Sequence, residues 1–155
     1  MSDQTPFPPS DLDGFLNLCA GRWMSLRSRF DMQASEEDWH ASERGEIEVV
    51  ASVADAESRL DVNPAEGDQT TLLFQSDGCL SILSGGNEQR GCWQLLQDAS
   101  LELQLNSGHG EEVLERIWFI KPNLRLRSTT FVGEHGQLRQ GSFCSEIRRV
   151  SGPKG

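Results

Sequence analysis

No stretch of the 155-residue chain is apolar for long enough to cross a membrane as a helix. Residues 1–10 are polar, acidic and proline-bearing, without the basic start and apolar run of a secretory leader. A soluble protein that stays where it is made is expected. The four cysteines (Cys19, Cys79, Cys92, Cys144) form no C-x-x-C pair, and none has a histidine at zinc spacing. His40, His109 and His135 are scattered through polar, glycine-rich or charged surroundings that read as loops. A structural zinc site is thereby disfavoured, and reduced, buried packing thiols are expected. The chain shows no internal repeat and no low-complexity tract. Lysine is scarce: twelve of the 14 cations are arginine. Arginine offers a fixed fork of donors matched to carboxylate or phosphate, where lysine offers a point charge.

Hydrophobic residues make up 36% of the chain, and the 15 glycines bring the apolar share into the ordinary globular range. A chain this long buries roughly 70% of its unfolded surface, enough for one self-sufficient core. The net charge of −10 disfavours general nucleic-acid binding, which needs clustered cations. That charge is unevenly placed. From Arg116 onward stand eight cations and two acids, whereas residues 1–115 hold six cations and 22 acids. One reading is that the C-terminal strands carry charges that pair with the acidic half across a sheet.

Leu12, Phe15, Leu16 and Cys19 follow i, i+3, i+4, i+7, so the spacing predicts an amphipathic helix over 10–20. Ser10 is a candidate N-cap, and Gly21 a C-terminal stop. Beyond it, short extended segments at 22–30, 45–52, 70–75, 80–83, 91–97, 101–105, 113–120, 124–132 and 139–150 alternate with turn signals such as Asp77-Gly78, Gly85-Gly86 and Pro122-Asn123. Residues 53–60 read as a short helix. Strands at this spacing predict an antiparallel meander, and closing it removes the exposed edges. The expected fold is all-β: a lipocalin- or calycin-like closed antiparallel barrel of about 8–10 strands with an N-terminal helix. It forms one domain, with a flexible arm over 1–9, the barrel over 21–150 and a tail over 151–155. Gly21-Arg22-Trp23 resembles the lipocalin opening motif, in which the indole plugs the barrel floor. Arg148 or Arg149 is placed to stack on it.

The C-terminal third holds the residues with chemistry. Strand period two puts Arg125, Arg127 and Thr129 on one face, opposite Leu124 and Leu126, and puts Glu115 with Ile117 and Phe119. If Pro122-Asn123 turns the chain, Glu115 and the arginines share one side of a hairpin. They then either meet solvent, where an ion pair contributes under about 1 kcal/mol, or point into a wet cavity toward an anion. Trp118 is barrel packing or a ligand platform. Cys144 is a small strand residue or a nucleophile, although no histidine lies nearby to activate it. Glu146 and Arg149 read as surface charges.

The runs Glu115-Arg116-Ile117-Trp118-Phe119, Asn123-Leu124-Arg125-Leu126-Arg127 and Ser142-Phe143-Cys144-Ser145-Glu146-Ile147-Arg148 resemble the CpcS/CpeS-type phycobiliprotein chromophore lyases. So does the opening Ala20-Gly21-Arg22-Trp23-x-Ser25-x-Arg27. The resemblance spans 12–30 and 112–150. It implies a barrel that binds a free linear tetrapyrrole and promotes its thioether attachment to a cysteine of a phycobiliprotein subunit. It makes Glu115 the catalytic, pyrrole-facing acid and Arg125 and Arg127, with Arg27, the bilin-binding arginines. Trp118 becomes a flat wall for the rings, and Gly21, Trp23 and Arg148 are structural. No metal and no permanently bound cofactor are expected; phycocyanobilin or phycoerythrobilin is the transferred substrate. The implied partners are an acceptor phycobiliprotein subunit and a second copy or second lyase subunit, with no nucleic acid or membrane. The implied compartment is the cyanobacterial cytosol or plastid stroma. Three rivals stand against it: a lipocalin-like bilin or lipid carrier, a thiol enzyme built on Cys144, and a phycobiliprotein assembly chaperone.

Overall fold

The computed structural model describes residues 7–34, 37–106 and 110–149. Among these residues one helix, α1, spans Leu12–Cys19 and buries Phe15, Leu16 and Cys19. Asp11 caps it rather than Ser10: the Asp11 backbone is extended, and its carboxylate accepts the Gly14 N–H at 2.8 Å. A carboxylate there also faces the positive end of the helix dipole.

Ten strands follow: β1 (Gly21–Asp31), β2 (His40–Ser52), β3 (Glu57–Pro64), β4 (Thr70–Gln75), β5 (Cys79–Ser84), β6 (Asn87–Leu95), β7 (Leu101–Asn106), β8 (Glu112–Lys121), β9 (Leu124–Val132) and β10 (Leu138–Arg148). Each pairs antiparallel with its chain neighbours, and β1 pairs with β10 to close the barrel. The segment expected as a short helix at 53–60 instead runs into β3. Ser58 and Leu60 alternate inward there, and β2 and β4 both pair with the strand. β2 and β6 begin earlier than the apolar pattern suggests, because their first residues are exposed on both faces and leave no alternation to read. His40 therefore starts a strand, His135 lies in a turn, and His109 is outside the described residues. So are most of the expected arm (1–6) and the tail with Val150; Pro9 is buried.

The helix closes one end of the barrel. Phe15 meets Phe119 edge-on with ring centroids 5.0 Å apart, and Trp23 donates its indole N–H to the Cys19 carbonyl at 2.9 Å. Leu101, Leu103, Leu80 and Phe74 extend this core along the far wall. Gly21 has φ +135°, and a Cβ there would stand 2.5 Å from the Arg148 guanidinium. The glycine thus leaves the gap through which Arg148 reaches the Ala20 carbonyl. No helix among the described residues is long and apolar enough to cross a membrane.

Candidate functional site

The register of β1, β10, β9 and β8 stacks inward-facing side chains in layers above the floor. Trp23 lies opposite Arg148 at the bottom. One step up, Ser25, Glu146, Arg125 and Phe119 form a row; above it stand Arg27, Cys144, Arg127 and Ile117; above that, Ser142, Thr129 and Glu115. Period two carries every one of these residues to the same face.

The lowest charged layer is closed to solvent. Arg125 is 4% exposed and Glu146 fully buried. Glu146 Oε1 accepts from Arg125 Nε at 2.8 Å and lies 2.7 Å from its Nη2. Glu146 Oε2 accepts from Arg127 Nη2 at 3.3 Å. Two guanidiniums lie over the Trp23 ring, that of Arg148 at 4.3 Å and that of Arg125 at 4.9 Å. Arg148 thus fills the stacking role, and Arg149 is exposed and paired with Glu46 at 2.7 Å. Glu146, read from the sequence as a surface charge, is instead the centre of the ionic layer. Burial pushes its carboxyl up, but the charges of Arg127 and Arg125 outweigh burial and hold it below the ordinary carboxylate range. Arg127 shows the mirror effect: burial disfavours its charge, and Glu146 and Glu115 more than restore it.

The next layers open into a cavity of about 390 Å³. Arg27, Glu115, Arg127 and Thr129 line it from β1, β8 and β9, with Val113 and Phe131 beside them on β8 and β9; Ile47, Leu72, Ile82 and Leu105, with Thr70 and Gln89, line it from β2 and β4–β7. A second recess of about 560 Å³ shares Arg27, Ile47 and Pro64 with it and runs along β1 and β2 past Gly45. Glu115 accepts the Thr129 hydroxyl at 3.0 Å and stands 3.9 Å from Arg127. Arg127 is thus shared between two carboxylates, whereas Arg27 has no carboxylate within ion-pair reach among the described residues. Arg27, Glu115 and Arg127 converge on one space. Arg125 shares their face but sits in the floor below it, committed to Glu146.

Trp118 is elsewhere. It is half-buried on the outer face, opposite Leu126 in register and 5.2 Å from the Arg116 guanidinium. It lines no part of the cavity. Cys144 is buried beside Arg127 at 3.9 Å and within 2.9 Å of the Ser25 hydroxyl. The expectation of buried thiols holds for Cys19 and Cys144; Cys79 and Cys92 are exposed. Cross-sheet pairing of the basic C-terminal strands with the acidic half holds on the outside and at the ends, where Arg116, Arg139 and Arg149 meet Asp98, Glu111 and Glu46.

The barrel is calycin-like: closed, floored by a tryptophan, with a mostly apolar cavity into which two arginines and one carboxylate project. A family model described as CpeS-like protein matches residues 62–149. The chain is 44% identical to chromophore lyase CpcS/CpeS 1 of Paulinella chromatophora over 95% of its length and 93% of that protein's. A shorter match to chromophore lyase CpcS/CpeS of Thermosynechococcus vestitus reaches 56% identity over 22% of this chain and 18% of that one. Among solved structures, the S-type phycobiliprotein lyase CpeS from Guillardia theta has the same fold, with a TM-score of 0.66 at 20% identity, covering 90% of this chain and 93% of that one. The chain belongs to the CpcS/CpeS chromophore lyase family.

Proposed function

We propose that this chain is a phycobiliprotein chromophore lyase that binds a linear tetrapyrrole in the barrel mouth and presents it to a cysteine thiol of a phycobiliprotein subunit. The observation that carries the reading is the convergence of Arg27, Glu115 and Arg127 on a cavity whose remaining lining is mostly apolar. A bilin matches both features. Its propionates suit guanidinium forks through charge-assisted hydrogen bonds. Its rings suit the apolar lining, and its pyrrole N–H groups suit one carboxylate acceptor. Glu115 is that acceptor, steadied by the Thr129 hydroxyl.

The chemistry needs no nucleophile from this chain. The acceptor thiol adds across the exocyclic ethylidene bond of the A ring: a sulfur–carbon bond forms, the double bond becomes single, and the thiol proton ends on the bilin. The lyase contributes position, converting an unselective encounter into an oriented one. A carboxylate against the pyrrole nitrogens also favours the protonated, more electrophilic bilin. Phycocyanobilin or phycoerythrobilin is the substrate, and no resident cofactor is required. The acceptor subunit is the protein partner, in the cyanobacterial cytosol or plastid stroma.

Co-expression with a bilin-synthesis pathway and a phycobiliprotein subunit tests the proposal. Covalent colour on the subunit after denaturing electrophoresis, dependent on this chain, is the expected result. Colour that stays with this chain alone indicates a carrier, and zinc-stained bilin covalently held at Cys144 contradicts the positioning mechanism. Glu115→Gln is expected to bind bilin with a shifted absorption band and to transfer it at least about 100-fold more slowly, the lower end of the range for loss of a general acid–base group. An unchanged spectrum with full transfer rate removes Glu115 from the mechanism.

A further inference from the structure

We propose that Cys79 and Cys92 form a reversible dithiol–disulfide site on the outer wall of the barrel, oxidised by low-molecular-weight disulfides of the glutathione type. The two residues are direct cross-strand partners on β5 and β6, and both are exposed free thiols. Paired cysteines on an antiparallel ladder can be bridged only where side chains approach closely, so the type of pair decides the matter.

Two observations assign it. The Trp93 N–H donates to the Gly78 carbonyl at 2.9 Å, which makes residues 78 and 93 a hydrogen-bonded pair and 79 and 92 the adjacent non-hydrogen-bonded one. The hairpin gives the same parity from its other end. Gly85 and Gly86, with φ +56° and +84°, form a two-residue turn that closes on Ser84 and Asn87. Counting down in twos from that pair leaves Cys79 and Cys92 on a non-hydrogen-bonded position. Such pairs hold their Cα atoms about 4.5 Å apart, at the short end of the span a disulfide accepts, about 4.4–6.8 Å. A bridge there forms without moving the strands far, and it stays within reach of reduction.

The step balances without any other reactant. One protein thiolate attacks the small disulfide, breaking its sulfur–sulfur bond and releasing one small thiol. The second protein thiolate then displaces the other small thiol and closes the ring. Two protein thiols are oxidised, one small disulfide is reduced, and both protons leave with the released thiols. The Asp77 carboxylate beside Cys79 raises that thiol's pKa, which slows its attack on the small disulfide. Among the described residues no group of three His, Cys, Asp or Glu side chains could hold a metal ion, so two-sulfur chemistry is what the pair offers. Cys19 and Cys144 are buried and do not compete. The same hairpin presents Ile82 and Gln89 to the cavity, so the bridge staples one cavity wall from outside.

The full chain, reduced and freed of reductant, is equilibrated with mixtures of glutathione and its disulfide, quenched by alkylation and digested with trypsin. Cleavage at Arg90 separates the two cysteines in the sequence. The expected product joins the peptides carrying Cys79 and Cys92, and it exceeds either glutathione adduct by at least about tenfold, because the second thiol acts at intramolecular concentration. Cys79→Ser and Cys92→Ser each accumulate the adduct on the remaining thiol. Stable adducts on the unaltered chain, links between two chains, or two thiols that stay free in excess disulfide would each overturn the proposal.

Discussion

Glu146→Gln is expected to lower the unfolding free energy by about 3–5 kcal/mol, the cost of stripping the counter-charge from a buried pair. The side chain is fully buried, and its two oxygens serve two arginines. A glutamine fills the same volume and still offers one acceptor oxygen, so a large loss isolates charge from packing. Urea titration reads it as a midpoint lower by about 1–5 M, given slopes typical of small domains. Replacing Arg125 and Glu146 together by methionine is expected to cost less than the single change, because Arg125 no longer stands unpaired and Arg127 keeps Glu115. Acid behaviour follows the same logic. The folded carboxyl titrates below its unfolded value of about 4.3, so its contribution is fully present above that pH and is lost as pH falls through the lowered folded pKa. The variant's stability should therefore fall less steeply than the parent's below about pH 4. A loss under about 1 kcal/mol in Glu146→Gln would mean that the arginines find other partners, and the ionic floor would then be packing alone.

Much of this floor was legible from strand period two, once one residue was anchored. The Gly21-Arg22-Trp23 opening requires an arginine over the indole. If Arg148 takes that place it points inward, and Glu146 and Cys144 must follow it. The sequence alone reads Glu146 as a surface charge, and β10 does carry Phe143 and Ile147, 46% and 57% exposed, on the opposite face, where apolarity would place the interior. The same parity disposes of Trp118: with Glu115, Ile117 and Phe119 inward, the residue between the last two must face out. In both cases hydrophobicity pulled against geometry, as happens where a barrel wall is polar within and apolar without. β3 was hidden for another reason. Its inward residues, Ser58, Leu60 and Val62, alternate with Arg59 and Asp61, which share the outer face and pair at 2.9 Å, but this strand period falls mostly beyond the helix-like start of the segment at 53–57. The convergence of Arg27 with Glu115 and Arg127 needed the barrel closure itself, since it joins the first strand to the eighth and ninth across β10.

Arg27→Ala is expected to weaken bilin binding by about 30- to 150-fold, the equivalent of about 2–3 kcal/mol for a charge-assisted contact in a partly dry cavity. Arg27 is a better probe than Arg125, whose guanidinium is spent on Glu146, or Arg127, which two carboxylates already share. Removing Arg27 breaks no ion pair among the described residues, so the fold should survive, and circular dichroism checks that it does. Arg149→Ala removes the same charge from an exposed pair with Glu46 and should cost less than about fivefold. Charge alone is separated from site by changing the ligand as well as the protein. A bilin dimethyl ester keeps the rings and loses both propionate charges. Against the parent chain the ester should bind about 30-fold or more weakly than the free acid. Against Arg27→Ala the ester penalty should shrink, because one of the contacts that told the two ligands apart has gone. An ester penalty that persists undiminished in Arg27→Ala would place the propionates elsewhere, with Arg127 the next guanidinium to test on the same wall. Equal losses in Arg27→Ala and Arg149→Ala would instead mean that bilin affinity follows the overall charge of the chain, and the cavity reading would fall with it.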